Sequence, residues 1–357
     1  MGRRRGIVSA KGYPVIADLF PGYFALVMAT GIVSIACHLF ELSVWASWLF
    51  YINVVAYGVL VVLNIARLVW YPSRFWADLT DFAKGPAFFT VVAGTGVLGT
   101  QVWMLYSNFP AAFSLLVAAF ALWVVVMYTF FFTAIIRDAK PELDSSINGA
   151  WLIATVGTQS ISVLSTLLAL HSTGVKPTIM LFFALCMYLV GCMLYLLTVS
   201  IIFYRLLFFR IESKAMTPPY WILMGAVAIT TLAGATLLLH ADEWDFLQSL
   251  TPFLKGFTLF FWSMATWWIP LLLVLGAWRH LYKKVAFVYD PQYWGMVFPL
   301  GMYATCTFNL SKALELPFLM MIPRVFLFIA VATWMVTFCS MIYEIVRSFF
   351  KRPAGVS

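Results

Sequence analysis

PAAFSLLVAAFALWVVVMYTFFFTAII, residues 110–136, runs for twenty-seven positions without a charged residue. A helix needs roughly 20 mostly apolar residues to cross the hydrocarbon core of a bilayer. This stretch is long enough, and it stops at Arg137-Asp138. The rest of the chain repeats the pattern. Apolar runs broken by charge and by Pro or Gly predict helices near residues 20–40, 44–70, 86–106, 110–136, 149–170, 178–208, 218–240, 251–279, 293–313 and 322–349. Composition agrees, because 63% of the 357 residues are hydrophobic and only 10% are charged. A soluble chain of this length needs far more polar surface. The expected fold class is therefore an all-α membrane protein of ten transmembrane helices in one domain over 20–349. Residues 1–19 and 350–357 are expected to be short cytoplasmic ends.

Lys and Arg are retained on the cytoplasmic side during insertion. With the spans above, eighteen of the 22 basic residues fall on one side, including Arg3, Arg4, Arg5, Lys11, Arg67, Arg137, Arg205, Arg279 and Arg347. Only Lys176, Lys255, Lys312 and Arg324 fall on the other. That division predicts both termini inside, in the cell (inner) membrane. The net charge of +8 then reports topology, and no nucleic-acid partner is expected because the basic residues form no single stripe.

The odd-numbered spans open alike, on an aromatic residue beside Gly or Pro: Gly22-Tyr23, Pro86-Ala87-Phe88, Gly149-Ala150-Trp151, Pro219-Tyr220-Trp221 and Tyr293-Trp294-Gly295. A unit of that period is one helical hairpin, so the chain reads as five parallel hairpins in tandem, able to close around a central pore. The odd spans hold most of the glycines and clustered hydroxyls, which suggests a polar inner wall. Candidate lining residues are Thr30, Gly31, Ser34, Thr95, Gly96, Gly157, Thr158, Thr231, Gly234 and Gly301. Close helix packing and hydroxyl bonds to the helix's own backbone are the competing account of the same residues.

No Asp, Glu, Lys or Arg lies in the middle of any span, and proton relays and cation sites are built on such groups. Hydroxyls and helix-end N–H groups favour anions instead. Cofactor and metal chemistry is not expected. Gly94, Gly96 and Gly99 fit a dinucleotide fingerprint but lie inside an apolar helix with no preceding strand. The five cysteines form no C-x-x-C pair. A membrane-embedded enzyme would need a nucleophile with a base or a metal cluster, and neither is present in the pattern. His38, His171 and His240 fall at outer helix ends, where they could titrate together or simply bond to helix-end carbonyls.

Phe20-Pro21-Gly22-Tyr23-Phe24 running into Met28-Ala29-Thr30-Gly31-Ile32-Val33-Ser34 resembles the opening helix of the tellurite-resistance/dicarboxylate transporter family. Tyr293-Trp294-Gly295-Met296-Val297-Phe298-Pro299-Leu300-Gly301 is similar to that family's aromatic pair followed by Phe-Pro. Fungal sulfite efflux pumps, yeast malate permeases and plant slow anion channels belong to it. The resemblance implies a homotrimer in the lipid bilayer, each subunit with its own pore lined by odd helices. It also implies that Phe298 plugs the pore; the missing N–H and the ring of Pro299 next to it predict a kink or local opening of the ninth helix. Small anions are the implied partners, moved by a passive or voltage-responsive channel or by a secondary carrier for C4-dicarboxylates, sulfite or tellurite. With about twenty residues before the first span and fewer than ten after the last, no regulatory tail of the plant type is expected.

Overall fold

Five short 3₁₀ turns organise the molecule: Pro21–Phe24, Gly85–Phe88, Gly149–Leu152, Pro218–Trp221 and Pro291–Tyr293. Four of them contain the repeated aromatic-Gly/Pro motifs, and the fifth ends on Tyr293, where the last motif begins. Proline fits such a first turn because its missing N–H is unsatisfied there anyway, and four of the five carry it near their start. The Gly149 turn lacks Pro and is capped by the Asn148 side chain, which accepts from the Ala150 N–H at 2.9 Å.

The computed structural model describes residues 14–350 apart from 173 and 214. Among the described residues there are ten helices of fifteen residues or more and no strand. We number them α1 (Ala25–Leu39), α2 (Ser43–Trp70), α3 (Phe89–Tyr106), α4 (Phe109–Ile136), α5 (Ile153–Leu168), α6 (Pro177–Phe208), α7 (Ile222–Leu239), α8 (Thr251–Ala277), α9 (Trp294–Ala313) and α10 (Met321–Phe350). Taken with their leading turns, nine are long and apolar enough to cross a membrane. The exception is α9, whose 20 residues end in the polar run Thr305, Thr307, Asn309, Ser311 and Lys312.

The odd helices pack in a closed cycle, α1 on α3, α3 on α5, α5 on α7, α7 on α9 and α9 on α1. Their 3₁₀ turns touch in the same cyclic order, so all five sit at one end of the bundle, here called the turn face. Each even helix packs outside the odd helix it follows. Burial separates the two sets: 78–94% of the apolar stretch is buried in α1, α3, α5 and α7, against 17–50% in the even helices. The even helices expose large apolar side chains such as Val55, Phe132, Ile179 and Phe328 outward. In water that surface would aggregate, and a bilayer covers it.

Tight connections on the opposite face close three of the hairpins. Glu41, Ser107 and Glu315 all take positive φ where α1, α3 and α9 end. At the turn face the hairpins meet closely. A Cβ on Gly149 would lie against the backbone of Pro219 and Tyr220, so only glycine permits the third and fourth turns to touch there. Among the described residues eleven basic side chains lie at the turn face and four at the other. Arg3, Arg4, Arg5, Lys11, Lys214, Lys351 and Arg352 lie outside the described residues.

Candidate functional site: the axis of the helix ring

At the turn face the ring opens into a cavity of about 770 Å³. Its wall takes one residue from each of the five turns: Pro21, Ala87, Ala150, Pro219 and Gln292. The cavity therefore lies on the axis that the odd helices share. Arg67, Arg74, Lys84 and Arg205 bring positive charge to it, against Asp18 and Asp78.

Three arginines show how the mouth is built. Arg67 ends α2 and is almost fully buried; its Nε donates to the Ala17 carbonyl at 3.3 Å and its Nη2 pairs with Asp78. Arg205 ends α6, donates from Nε to the Asp144 carbonyl at 2.8 Å, and reaches the Tyr220 hydroxyl through Nη1. Beyond the end of α8, Arg279 donates from Nη1 to the Met216 carbonyl at 2.7 Å. Each arginine grips a segment that leads into an odd helix. These clasps fix the turns that frame the cavity. As sequence, the same arginines read as topology signals only. The signal that could have found them is their recurrence at 67, 137, 205, 279 and 347, with 68 to 74 residues between them.

The hydroxyls expected to line the interior have other partners. Thr30 on α1 accepts from the Trp334 indole of α10 at 2.9 Å. Thr95 on α3 lies 3.1 Å from the Tyr57 hydroxyl of α2. Thr158 on α5 accepts from the Trp123 indole of α4 at 2.7 Å, and Thr307 on α9 from the Trp262 indole of α8 at 3.0 Å. The same arrangement thus recurs around the ring, an aromatic side chain on an even helix reaching the next odd helix. Ser34 donates to the Ala46 carbonyl of α2, and Thr231 to the Val227 carbonyl of its own helix. The hydroxyls of Thr30, Ser34, Thr95 and Thr158 therefore tie the ring to its jacket.

The candidate glycines sit in helix seams. A Cβ on Gly31 would lie 2.6 Å from Val97 and 2.9 Å from Asn53. One on Gly96 would meet Ser160 of α5 at 2.5 Å, and one on Gly157 would meet Val92 of α3 at 3.2 Å. Gly234 backs onto Tyr188 and Thr258, and Gly301 onto Ile32 and Val33 of α1. Small residues at such seams let helix backbones approach closely.

Phe298 is fully buried. Its neighbours fix its direction. Pro299, one residue on, fills the space in front of Gly225 on α7, where a Cβ would come within 2.7 Å of the proline ring. Gly301 faces α1. At 100° per residue, Phe298 lies between those two directions, and Thr307, nine residues on and bonded to α8, lies on the opposite side of the helix. Phe298 thus projects away from the jacket, between α7 and α1. Helix α9 stays helical on both sides of Pro299, which sits in its second turn. Nothing in the local sequence marks Gly225 as the seat of that proline.

Two of the three outer histidines have local partners. His240 Nδ1 lies 2.8 Å from the Thr236 carbonyl, and His171 packs its ring on Trp103 with centroids 4.5 Å apart. No group of three or more His, Cys, Asp or Glu among the described residues could hold a metal ion.

The odd helices thus close into a ring without a central charge, with basic side chains at one end. The family model described as "Voltage-dependent anion channel" matches residues 18–342. The chain belongs to the voltage-dependent anion channel family. An uncharacterized transporter of Methanocaldococcus jannaschii is 25% identical over 304 residues, covering 83% of this chain and 86% of the relative. A sulfite efflux pump of Arthroderma benhamiae is 21% identical over 355 residues, covering 92% and 91%. An uncharacterized membrane protein of Mycobacterium tuberculosis reaches 35% identity, over 152 residues that cover 43% of this chain and 77% of the relative. The expected family is the one found, and the chain is a multi-pass membrane protein of an anion-transporting family.

Proposed function

We propose that the chain is a passive or voltage-responsive anion channel, with the turn face cytoplasmic, both termini inside and the pore along the axis of the helix ring. The observation that carries this reading is the ring itself: five odd helices without a central charge, closed on one another and opening at one end into a cavity with four basic side chains. Such a path offers a permeating anion no tight trap. The basic mouth raises the local anion concentration. Phe298 is the gate, an apolar ring aimed between α1 and α7 that closes the lumen to water and ions. Interpolation on α3 assigns Thr100 to the lining, since it lies between Val97, which meets α1, and Gly96, which meets α5.

The exposed apolar faces of the even helices fit lipid and, in a homotrimer, neighbouring subunits. The relation to a sulfite efflux pump favours a second reading, a secondary carrier for sulfite or C4-dicarboxylates. Flux from purified protein in liposomes separates the two. A channel gives weakly saturating, proton-independent currents of chloride and nitrate, whereas a carrier gives saturable flux that depends on a proton gradient.

A further inference from the structure

Asp78 stands out among the charges at the mouth because its two carboxylate oxygens are held by different cations. One oxygen pairs with Arg67 Nη2, and the other accepts from Lys84 Nζ at 2.9 Å. We propose that Arg67 and Lys84 form a binding site for a small monovalent oxyanion at the mouth of the pore, and that the Asp78 side chain occupies it as a tethered competitor of the permeating anion. This inference rests on the anion-channel reading.

Three observations support it. First, Arg67 is held in place independently of Asp78. Its side chain is only 2% exposed and its Nε is bound to the Ala17 carbonyl, so the guanidinium cannot swing into water when the carboxylate leaves. Second, Arg67 Nη1 is buried without a hydrogen-bond partner. A buried cation with an unused donor is stabilised by a further acceptor. Third, Arg67, Asp78 and Lys84 all line the axial cavity, so an anion entering from the turn face passes this pair.

The other charges on the cavity do not supply the same pincer. Arg74 pairs with Asp18 at 2.7 Å, and Arg205 is spent on Asp144 and Tyr220. The Asp78 carboxylate is itself the template for the ligand, a planar oxyanion able to bridge a guanidinium and an ammonium. Nitrate and acetate have that shape and charge. Occupied by Asp78, the pair has one of its two charges offset and the anion binds weakly; with Asp78 displaced, both cations face the anion.

Nitrate binding to the purified full chain in nanodiscs, followed by intrinsic tryptophan fluorescence and by thermal stabilisation, tests this directly. Asp78→Asn should lower the half-saturating nitrate concentration by on the order of tenfold, the scale of one additional charge-assisted hydrogen bond. Asp78→Asn with Lys84→Gln should reverse most of that change. Lys84→Gln alone, at an exposed position that leaves the buried Arg67 pair intact, should weaken nitrate binding about threefold, as expected for one exposed charge. An unchanged nitrate midpoint in folded Asp78→Asn overturns the proposal, as does a double variant that binds like Asp78→Asn. If Asp78→Asn does not fold, an unaltered midpoint in Lys84→Gln alone also overturns it. The assay needs no flux, so an inactive protein that still shows these shifts counts against the channel reading and leaves the site standing.

Discussion

Replacing Phe298 with alanine separates a gate from a packing residue. Phe298 is fully buried, and truncating a buried Phe in a close-packed core costs about 3–5 kcal/mol. Part of that cost is relieved when neighbours collapse into the space. Here they are held back. Beside Phe298, the Pro299 ring already fills the face of Gly225, and Ile32 with Val33 fills that of Gly301, so neither seat has a side chain to offer. The void left by the ring therefore persists, and in the gate reading it joins the lumen. As a gate, Phe298→Ala removes an apolar constriction, and lowering that barrier by about 3 kcal/mol raises the rate of passage on the order of a hundredfold. As a packing residue, it destabilises the protein and leaves current equal or smaller. The assay is anion current through the variant in planar bilayers, alongside size-exclusion profiles and thermal melts. Current no larger than wild type in a correctly assembled Phe298→Ala protein refutes the gate.

Other consequences rest on individual side chains. Trp334→Phe removes the indole donor to Thr30 and should lower stability by about 1 kcal/mol, read as a reduced melting temperature, with anion selectivity unchanged. Gly96→Leu should push α3 from α5 at Ser160, costing about 1–3 kcal/mol and disturbing the ring; a normally stable variant would show that this seam is loose. Burial alone would raise the Asp78 pKa, but hydrogen bonds and charge from Arg67 and Lys84 outweigh it and hold the carboxyl below its ordinary value of 3.8. A depressed pKa gives stability that is present above the ordinary value and lost as pH falls through the lower folded value. Wild type should therefore lose stability relative to Asp78→Asn when pH drops below about 4, and parallel melting curves would contradict this. A cysteine placed in the 242–245 loop should react with an impermeant thiol reagent added outside, and one beside Lys283 should not. The reverse pattern would invert the topology.

The fold was legible where local chemistry repeats. Four of the five aromatic-Gly/Pro motifs lie within 3₁₀ turns, and the fifth starts on the last residue of one, because Pro and Gly at a helix start specify that geometry without help from distant residues. Spans such as 110–136 were bounded to within a residue by Pro110 and Arg137. Partner choice across the ring was not legible. Thr30 and Trp334 are 304 positions apart, and an isolated Thr in an apolar helix gives no sign of whether its hydroxyl faces a lumen, its own backbone or an indole. The repeat carried a partial clue, since Thr30, Thr95 and Thr158 each follow a motif aromatic, Tyr23, Phe88 and Trp151, by seven residues. The same limit applied to Arg67, Arg205 and Arg279. Topology alone accounts for their charge, so the charge itself points to no clasp. The local position of Phe298 beside Pro299 was readable, but its direction needed Gly225 and Ile32 on other helices.

The claim that the ring conducts anions is tested most directly by the reversal potential of purified wild-type protein in a planar bilayer under a potassium chloride gradient. An anion channel gives a reversal potential close to the chloride equilibrium potential. A reversal potential at the potassium value, or no macroscopic current from protein whose constriction at Phe298 has been opened, would contradict the account.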